Sequence, residues 1–416
     1  GGATYGQVAK LTASDAASYD EFGWSVAIDG GTVVVGAFKD DDAGSKSGSA
    51  YVFRTSDGGA TYGQLAKLTA ADAAASDEFG FSVAIDGDTV VVGSPYDDDG
   101  GSNSGAAYVF RTTDGGATYI EVAKLKAADA ATYDYFGIAV AMDGTTIVIG
   151  ATGDDDGGSY SGSVYVFSST DDGATYSQVT KLTAADAAKD DEFGVSVAID
   201  GGFVAIGARY DDDGGAESGA VYIFGTCEAR TGSCADGATY GQVAKLKAAD
   251  AAAGNNFGVF VAMDGSTVAI GARYDDGSNS GAIYIFRSDA DATYDQVAKL
   301  NAAEDGDNFG CSVAIDGGLV AIGNRYDDGG GSESGSVRIF RGTDGTYDQV
   351  AELTASDAAA FRAAQNPELA ADQVSWDWET RVENAPLDVG GVAAFEGQGA
   401  RMERDRRICS SFCRAF

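Results

Sequence analysis

Carboxylates dominate the chemistry open to this chain. Aspartate runs recur at Asp40-Asp41-Asp42, Asp97-Asp98-Asp99, Asp154-Asp155-Asp156 and Asp211-Asp212-Asp213, then shorten to Asp275-Asp276 and Asp327-Asp328. Small polar residues and a Ser-Gly pair follow each run. One reading is a ring of Ca2+ sites. Clustered carboxylates with Ser, Asn and carbonyl oxygens can supply the roughly six to eight oxygens this ion takes. The candidate ligands are Asp40, Asp42, Asp97, Asp99, Asp154, Asp156, Asp211 and Asp213. The other reading is a solvated acidic turn, because neighbouring aspartates point different ways. No cofactor is certain on either reading.

Other chemistries are narrowed by what is missing. The chain has no histidine, which excludes a Ser-His-Asp triad, a Cys-His pair and a His-ligated metal. Paired carboxylates can hydrolyse glycosides. Here, however, the acids recur in every unit, whereas an active site is singular, so no catalytic residue is assigned. Five cysteines are present, and Cys227 and Cys234 fall in a seven-residue insertion. A local pair that arrives with an insertion predicts a disulfide and an oxidising compartment. Cys311 takes the place of Trp24, Phe81, Ile138 and Val195 in other units and is expected as a small buried apolar residue.

The elements that position these residues repeat. Phe-Gly recurs at Phe22, Phe79, Phe136, Phe193, Phe257 and Phe309, spaced by 57, 57, 57, 64 and 52 residues. Each unit reads as four strands, A to D. Strand A (22–28) alternates large residues with Gly23, Ser25 and Ala27, a period of two with one small face that suits a crowded axis. Asp29-Gly30 makes a tight turn. Strand B (32–37) is apolar on both faces, strand C (49–54) carries Tyr51 and Phe53, and strand D (62–69) carries Lys67 as an edge lysine. Four short strands in each of six units predict an all-β fold, a β-propeller of four-stranded antiparallel blades, rather than a solenoid or a sandwich array. A leading D-type strand (5–11) leaves one strand over, so an incomplete seventh unit is a further expectation.

These residues resemble the FG-GAP repeat family, the repeat of the integrin α-chain head. Phe79-Gly80 followed by Gly93-Ser94-Pro95 is the nearest match to the motif; elsewhere its third position is Phe38, Thr152, Arg209, Arg273 or Arg325. The resemblance covers about residues 5–360. It implies a propeller, usually seven-bladed, that serves extracellular recognition and adhesion. The family's calcium loop between strands A and B has no room here, so that site is not carried over.

Alternating strand directions place the B–C and D–A loops on one face, which is acidic. Asp20, Glu21, Asp41, Asp77, Glu78, Asp98, Asp191 and Glu192 are expected to form it. The leading function is a non-catalytic recognition or adhesion module that binds a protein or glycan through this face. A structural spacer of a wall or matrix is the alternative, and a glycan-processing enzyme a second one. The net charge of −37 disfavours nucleic acid and anionic membranes, and no apolar run spans a bilayer. The expected location is extracellular or cell-surface. The chain opens inside a repeating unit, so any export signal is expected upstream. Residues 1–361 are read as the propeller. Residues 362–416 hold seven Arg and no Lys and form an atypical tail, disordered or helical from Asn366-Pro367 to about Arg381.

Overall fold

A computed structural model describes residues 5–226, 240–275, 280–289, 293–301, 309–327, 334–343 and 345–355. Cys227, Cys234 and the tail lie outside the described residues. Twenty-four strands, β1 to β24 in chain order, form six antiparallel sheets of four consecutive strands each. The fold is a six-bladed β-propeller. In blade 1, β1 is Val26–Asp29, β2 Thr32–Ala37, β3 Ser49–Arg54 and β4 Gly63–Leu68. Strands B and C match the expected bounds. Strand A starts later than expected in blades 1 to 3, where Phe-Gly belongs to the preceding turn. It starts at the Phe in blades 4 to 6, as in Phe193–Asp200.

The small face of strand A lines the axis. Ala27, Ala84, Ala141, Ala198, Ala262 and Ala314, one from each blade, face a cavity of about 280 Å3. Strand B is almost wholly buried because it is sandwiched between blades. Val34, Ala50 and Val52 of blade 1 pack against Val90, Val92, Tyr108 and Phe110 of blade 2. Equivalent cores join each later pair up to blades 5 and 6. The Phe of Phe-Gly seals each of these junctions. Phe79 is fully buried and meets Tyr108 and Phe110 edge-on, with ring centroids 5.4 and 5.9 Å apart.

Glycine at the Ser-Gly position allows the closest approach. Gly105 has φ +82, and a Cβ there would stand 2.0 Å from the carbonyl oxygen of Phe136 in the next blade. On the opposite face the A–B turns are linked in series. The amide of Gly87 donates to Asp29 (2.8 Å), Gly144 to Asp86 (2.6 Å), Gly201 to Asp143 (2.9 Å), Gly265 to Asp200, and Gly317 to Asp264 (2.8 Å).

Blades 6 and 1 meet differently. The expected leading strand is not a strand. Leu11 and Ala13 pack instead on Val33, Val35, Tyr51 and Phe53 of blade 1. Arg341 of blade 6 donates to the Tyr5 hydroxyl at 3.3 Å, so the leading segment crosses this seam. Val26 of β1 is 43% exposed, whereas its equivalents Val83 and Val140 are 9% exposed. Cys311 is buried as expected, but its sulfur is disulfide-bonded, so the expectation of a simple apolar residue was incomplete.

Candidate functional site: the loop face

On the loop face each aspartate of a run has a separate task. In blade 2, Asp97 is buried and its Oδ1 accepts the Asp99 amide at 3.0 Å. Asp98 is exposed, and its Oδ1 accepts the Asn103 amide at 2.7 Å, which folds the loop. Asp99 turns toward strand D. There Lys124 Nζ lies 2.8 Å from Asp97, 2.6 Å from Asp99 and 2.7 Å from Asp72. Tyr108 places its hydroxyl 2.8 Å from an oxygen of Asp97 and of Asp72, and its ring 5.1 Å from Nζ. The lysine thus has three carboxylates and an aromatic face around it.

The cluster recurs. Lys67 bonds Asp15, Asp40 and Asp42 in blade 1; Lys181 bonds Asp129, Asp154 and Asp156 in blade 3; Lys245 bonds Asp186, Asp211 and Asp213 in blade 4. Blade 5 keeps Lys299 with Asp250 and Asp275. All eight aspartates named as Ca2+ candidates therefore fall in clusters. In blades 1 to 4 each set of three carboxylates is compact enough to hold a metal ion. Each also already encloses an ammonium. Lys67 was expected as a guard on the sheet edge, but it folds over the loops instead.

Asp15, Asp72, Asp129 and Asp186 were missed. They come from the D–A connection, and their recurrence at 57-residue spacing was visible. The strand-C tyrosine was placed on its strand but assigned no polar role. Blade 6 confirms the electrostatic role by inversion. Arg338 replaces the tyrosine and Glu352 replaces the lysine. Arg338 lies 2.9 Å from Asp327 and 3.5 Å from Glu352. The cation has moved from strand D to strand C.

Titration follows these contacts. Burial opposes ionisation of Asp72, yet the bonds from Lys124 and Tyr108 hold it below the usual range. Burial likewise opposes the charge on Lys124, but Asp72, Asp97 and Asp99 raise it well above an ordinary lysine. Three carboxylates against one ammonium leave each cluster in blades 1 to 4 negative.

The remaining residues expected on this face are mostly withdrawn into it. Asp20, Asp77 and Asp191 are buried, each accepting an amide of its own turn at 2.7 to 2.8 Å. Burial pushes Asp77, Asp134 and Asp191 up to about 6. Glu21 lies 3.5 Å from Lys39. Glu78 is half-buried, and burial pushes it up to about 7. Glu192 is buried against Arg209, at 2.8 Å from Nε and 2.7 Å from Nη2. Asp41 and Asp98 stay exposed.

The centre of the face, around the axis, changes from blade to blade. In blades 1 to 3 Trp24, Phe38, Phe81, Ile138 and Tyr96 pack together. In blades 4 to 6 the position of Phe38 is taken by Arg209, Arg273 and Arg325. These guanidiniums lie over the rings of Tyr210, Tyr274 and Tyr326, at 4.5, 5.0 and 5.2 Å. Among the described residues no helix is long and apolar enough to cross a membrane.

Comparison with solved structures supports the fold alone. The chain is similar to proteins assigned as 6-phosphogluconolactonases from Bacteroides fragilis and Bacteroides uniformis, at 14% identity in both cases. The first has a TM-score of 0.52 and covers 83% of this chain and 86% of that one; the second has 0.51, 80% and 85%. No curated protein matches the chain. The FG-GAP repeat matches six times, over residues 5–53, 62–110, 119–167, 176–224, 240–286 and 294–340. With the Phe-Gly junctions and the blade count both in place, the chain belongs to the FG-GAP repeat family.

Proposed function

We propose that the propeller is a non-catalytic recognition module whose loop face meets a protein or glycan partner. The observation that supports this is the contrast within the face. Its rim repeats one lysine-centred cluster, whereas its centre carries Phe38, Pro95, Thr152, Arg209, Arg273 and Arg325 in succession. A spacer needs the repeated rim but has no use for a centre that differs among blades 1 to 3 and changes to arginine in blades 4 to 6. The enzyme reading fares worse on the carboxyl groups of raised pKa. Asp77, Asp134 and Asp191 occupy equivalent turns in three blades and act there as amide acceptors. Extracellular or cell-surface placement is part of this proposal, resting on the family and on the Cys227 and Cys234 spacing. Calcium enters only as a rival of the lysines, which occupy the space between its candidate ligands.

The test is a binding screen of the labelled protein against a glycan array and a panel of extracellular proteins. Asp41→Lys with Asp98→Lys alters the rim, and Asp86→Asn with Asp143→Asn alters the turn face. A partner lost with the rim pair and kept with the turn pair is the expected result. Absence of any partner returns the spacer reading, and hydrolysis of a glycan or lactone by the native chain returns the enzyme.

A further inference from the structure

Cys311 is 5% exposed and disulfide-bonded, so a second cysteine reaches the axial mouth of the loop face. The repeat fixes the position. Cys311 stands where Trp24, Phe81 and Ile138 stand in blades 1 to 3, and those side chains pack together at the centre of the face. It is near the start of β21 (Phe309–Asp316), where the D–A connection enters the blade. The other cysteines of the chain are Cys227, Cys234, Cys409 and Cys413.

Topology separates these two pairs. Cys227 follows β15 (Ala220–Thr226), a strand C that begins at the B–C loop and ends on the opposite, turn face. That length of strand puts Thr226 about 20 Å below the loop face. Cys234 is tied to the same end, because β16 (Tyr240–Leu246) starts six residues after it. Such a tether spans at most about 21 Å. To meet Cys311 it would have to climb the full height, pass from the outer strands to the axis and cross blade 5. Neither cysteine of this pair reaches the mouth. The tail leaves from the other side. Leu353, the last residue of β24 (Thr346–Leu353), pairs with Val337 beside the B–C loop, so the chain emerges on the loop face. Cys409 is 56 residues further on, ample to reach the axis.

Charge favours the same placement. Residues 401–416 hold Arg401, Arg404, Arg406, Arg407 and Arg414 against Glu403 and Asp405. The rim clusters of blades 1 to 4 each bring three carboxylates around one lysine. Arg209, Arg273 and Arg325 stand at the centre in blades 4 to 6, so a basic run is directed outward to the rim. Strand D lies about 14 Å from strand A, three strand spacings. Arg404 and Arg401 are five and eight residues from Cys409, enough to cover that distance.

We propose that residues 401–416 occupy the axial mouth, bonded through Cys409 or Cys413 to Cys311 and held outward on the acidic rim by Arg401 to Arg407. The cover is a property of this chain alone, so it stands or falls separately from the partner assigned to the face. Forming the bond takes one hydrogen from each thiol, two electrons and two protons together, and passes them to a small-molecule disulfide. An external dithiol reverses the step and leaves as its own disulfide. The mouth is closed under oxidising conditions and opened by reduction.

Tryptic digestion of the native chain without reduction, read by mass spectrometry, tests the bond. Cleavage after lysine and arginine places Cys311 in residues 300–325 and both tail cysteines in residues 408–414. The expected species joins these two peptides and is lost on reduction. Cys311 found as a free thiol, joined to residues 210–230 or 231–245, or joined to a second copy would overturn the proposal. So would residues 408–414 closed on themselves. Amide hydrogen exchange of the reduced native chain tests the charge contact without any variant. Raising NaCl from about 0.01 to about 1 M shortens the screening length from about 30 to about 3 Å. Residues 401–416 should then exchange about threefold faster or more, while the A–B turns change little. Equal exchange of residues 401–416 at both salt concentrations would overturn their seating on the rim.

Discussion

In blades 1 to 5 a strand-D lysine lies between aspartates from two loops, and in blade 6 an arginine on strand C does that work opposite Glu352. Losing Lys124 would leave Asp97, only 3% exposed, beside Asp72 and Asp99 without the ammonium that bonds all three. Lys124→Met is expected to cost about 2–4 kcal/mol, read by denaturant unfolding, because a buried carboxylate is left uncompensated. Adding Tyr108→Arg to Lys124→Glu copies blade 6 into blade 2 and should recover most of that loss. A double variant as unstable as the sum of its parts would show that the inversion depends on something else in blade 6. Lys124→Met is also the protein in which calcium should begin to act. At fixed ionic strength the native chain should melt alike in Ca2+ and Mg2+, and the variant should melt higher in Ca2+.

Proton linkage at the turn aspartates gives an acid-side optimum. Asp77, Asp134 and Asp191 have folded pKa values of about 6, and Glu78 about 7, above their unfolded values of 3.8 and 4.5. Between those limits the folded chain binds more protons than the unfolded one, so stability falls as pH rises from about 4 to 7. Melting followed across that window should therefore decline toward neutrality. Replacing Asp77, Asp134 and Asp191 by Asn should flatten the decline; an unchanged slope would place it in the general charge repulsion instead. The aspartate triplets were legible from the sequence, but their partners were not. Lys124, Tyr108 and Asp72 stand 25, 11 and 25 residues away from Asp99, Asp97 and Asp97, and only the fold brings them together.

At the scale of the element, strands B and C were predicted to the residue because both obey simple apolar rules. Strand A in blades 1 to 3 was overextended, because Phe22, Phe79 and Phe136 keep the alternation going after the backbone has turned. The Phe belongs to the junction between blades, not to the ladder. That junction is tight enough to test through glycine. Gly105→Ala forces a Cβ onto the Phe136 carbonyl at positive φ and should cost about 3 kcal/mol or more. Gly115→Ala, also at positive φ (+70) but with open space around it, should cost only about 1 kcal/mol. Equal losses in thermal unfolding would mean that backbone conformation, not blade contact, is limiting.

Across the whole molecule, the six-bladed count was readable from the Phe-Gly spacing, but the nature of the seam was not. A leading strand was expected from Tyr5-x-Gln-Val, since the same letters form strand D elsewhere. Strand formation there needs a free neighbouring edge, and the segment lies across the seam instead. Five apolar cores join the blades in series, whereas the core on the open side of blade 1 is completed by Leu11 and Ala13 of the leading segment. Stability in stacked repeats is largely a sum of neighbour terms. Amide hydrogen exchange is therefore expected to be slowest in the B and C strands of blades 2 to 4 and fastest in β1 and in β24 (Thr346–Leu353). Uniform protection around the ring would show that the seam is as cohesive as the other junctions.

The linked A–B turns carry a consequence for how such a chain can change its length. Each turn of blades 2 to 5 presents an aspartate to the following unit and an amide to the preceding one, as Asp86 does for Gly144 and Gly87 does for Asp29. Donor and acceptor sit on adjacent residues of the same turn. If recombination deletes or duplicates one complete 57-residue period, the newly adjacent turns still match, whereas a cut elsewhere in the register leaves an unmatched amide on either side. The hydrogen-bonded turns thus make the gene tolerant of whole-unit gain and loss and intolerant of fractions, which fits the near-identity of the first four units.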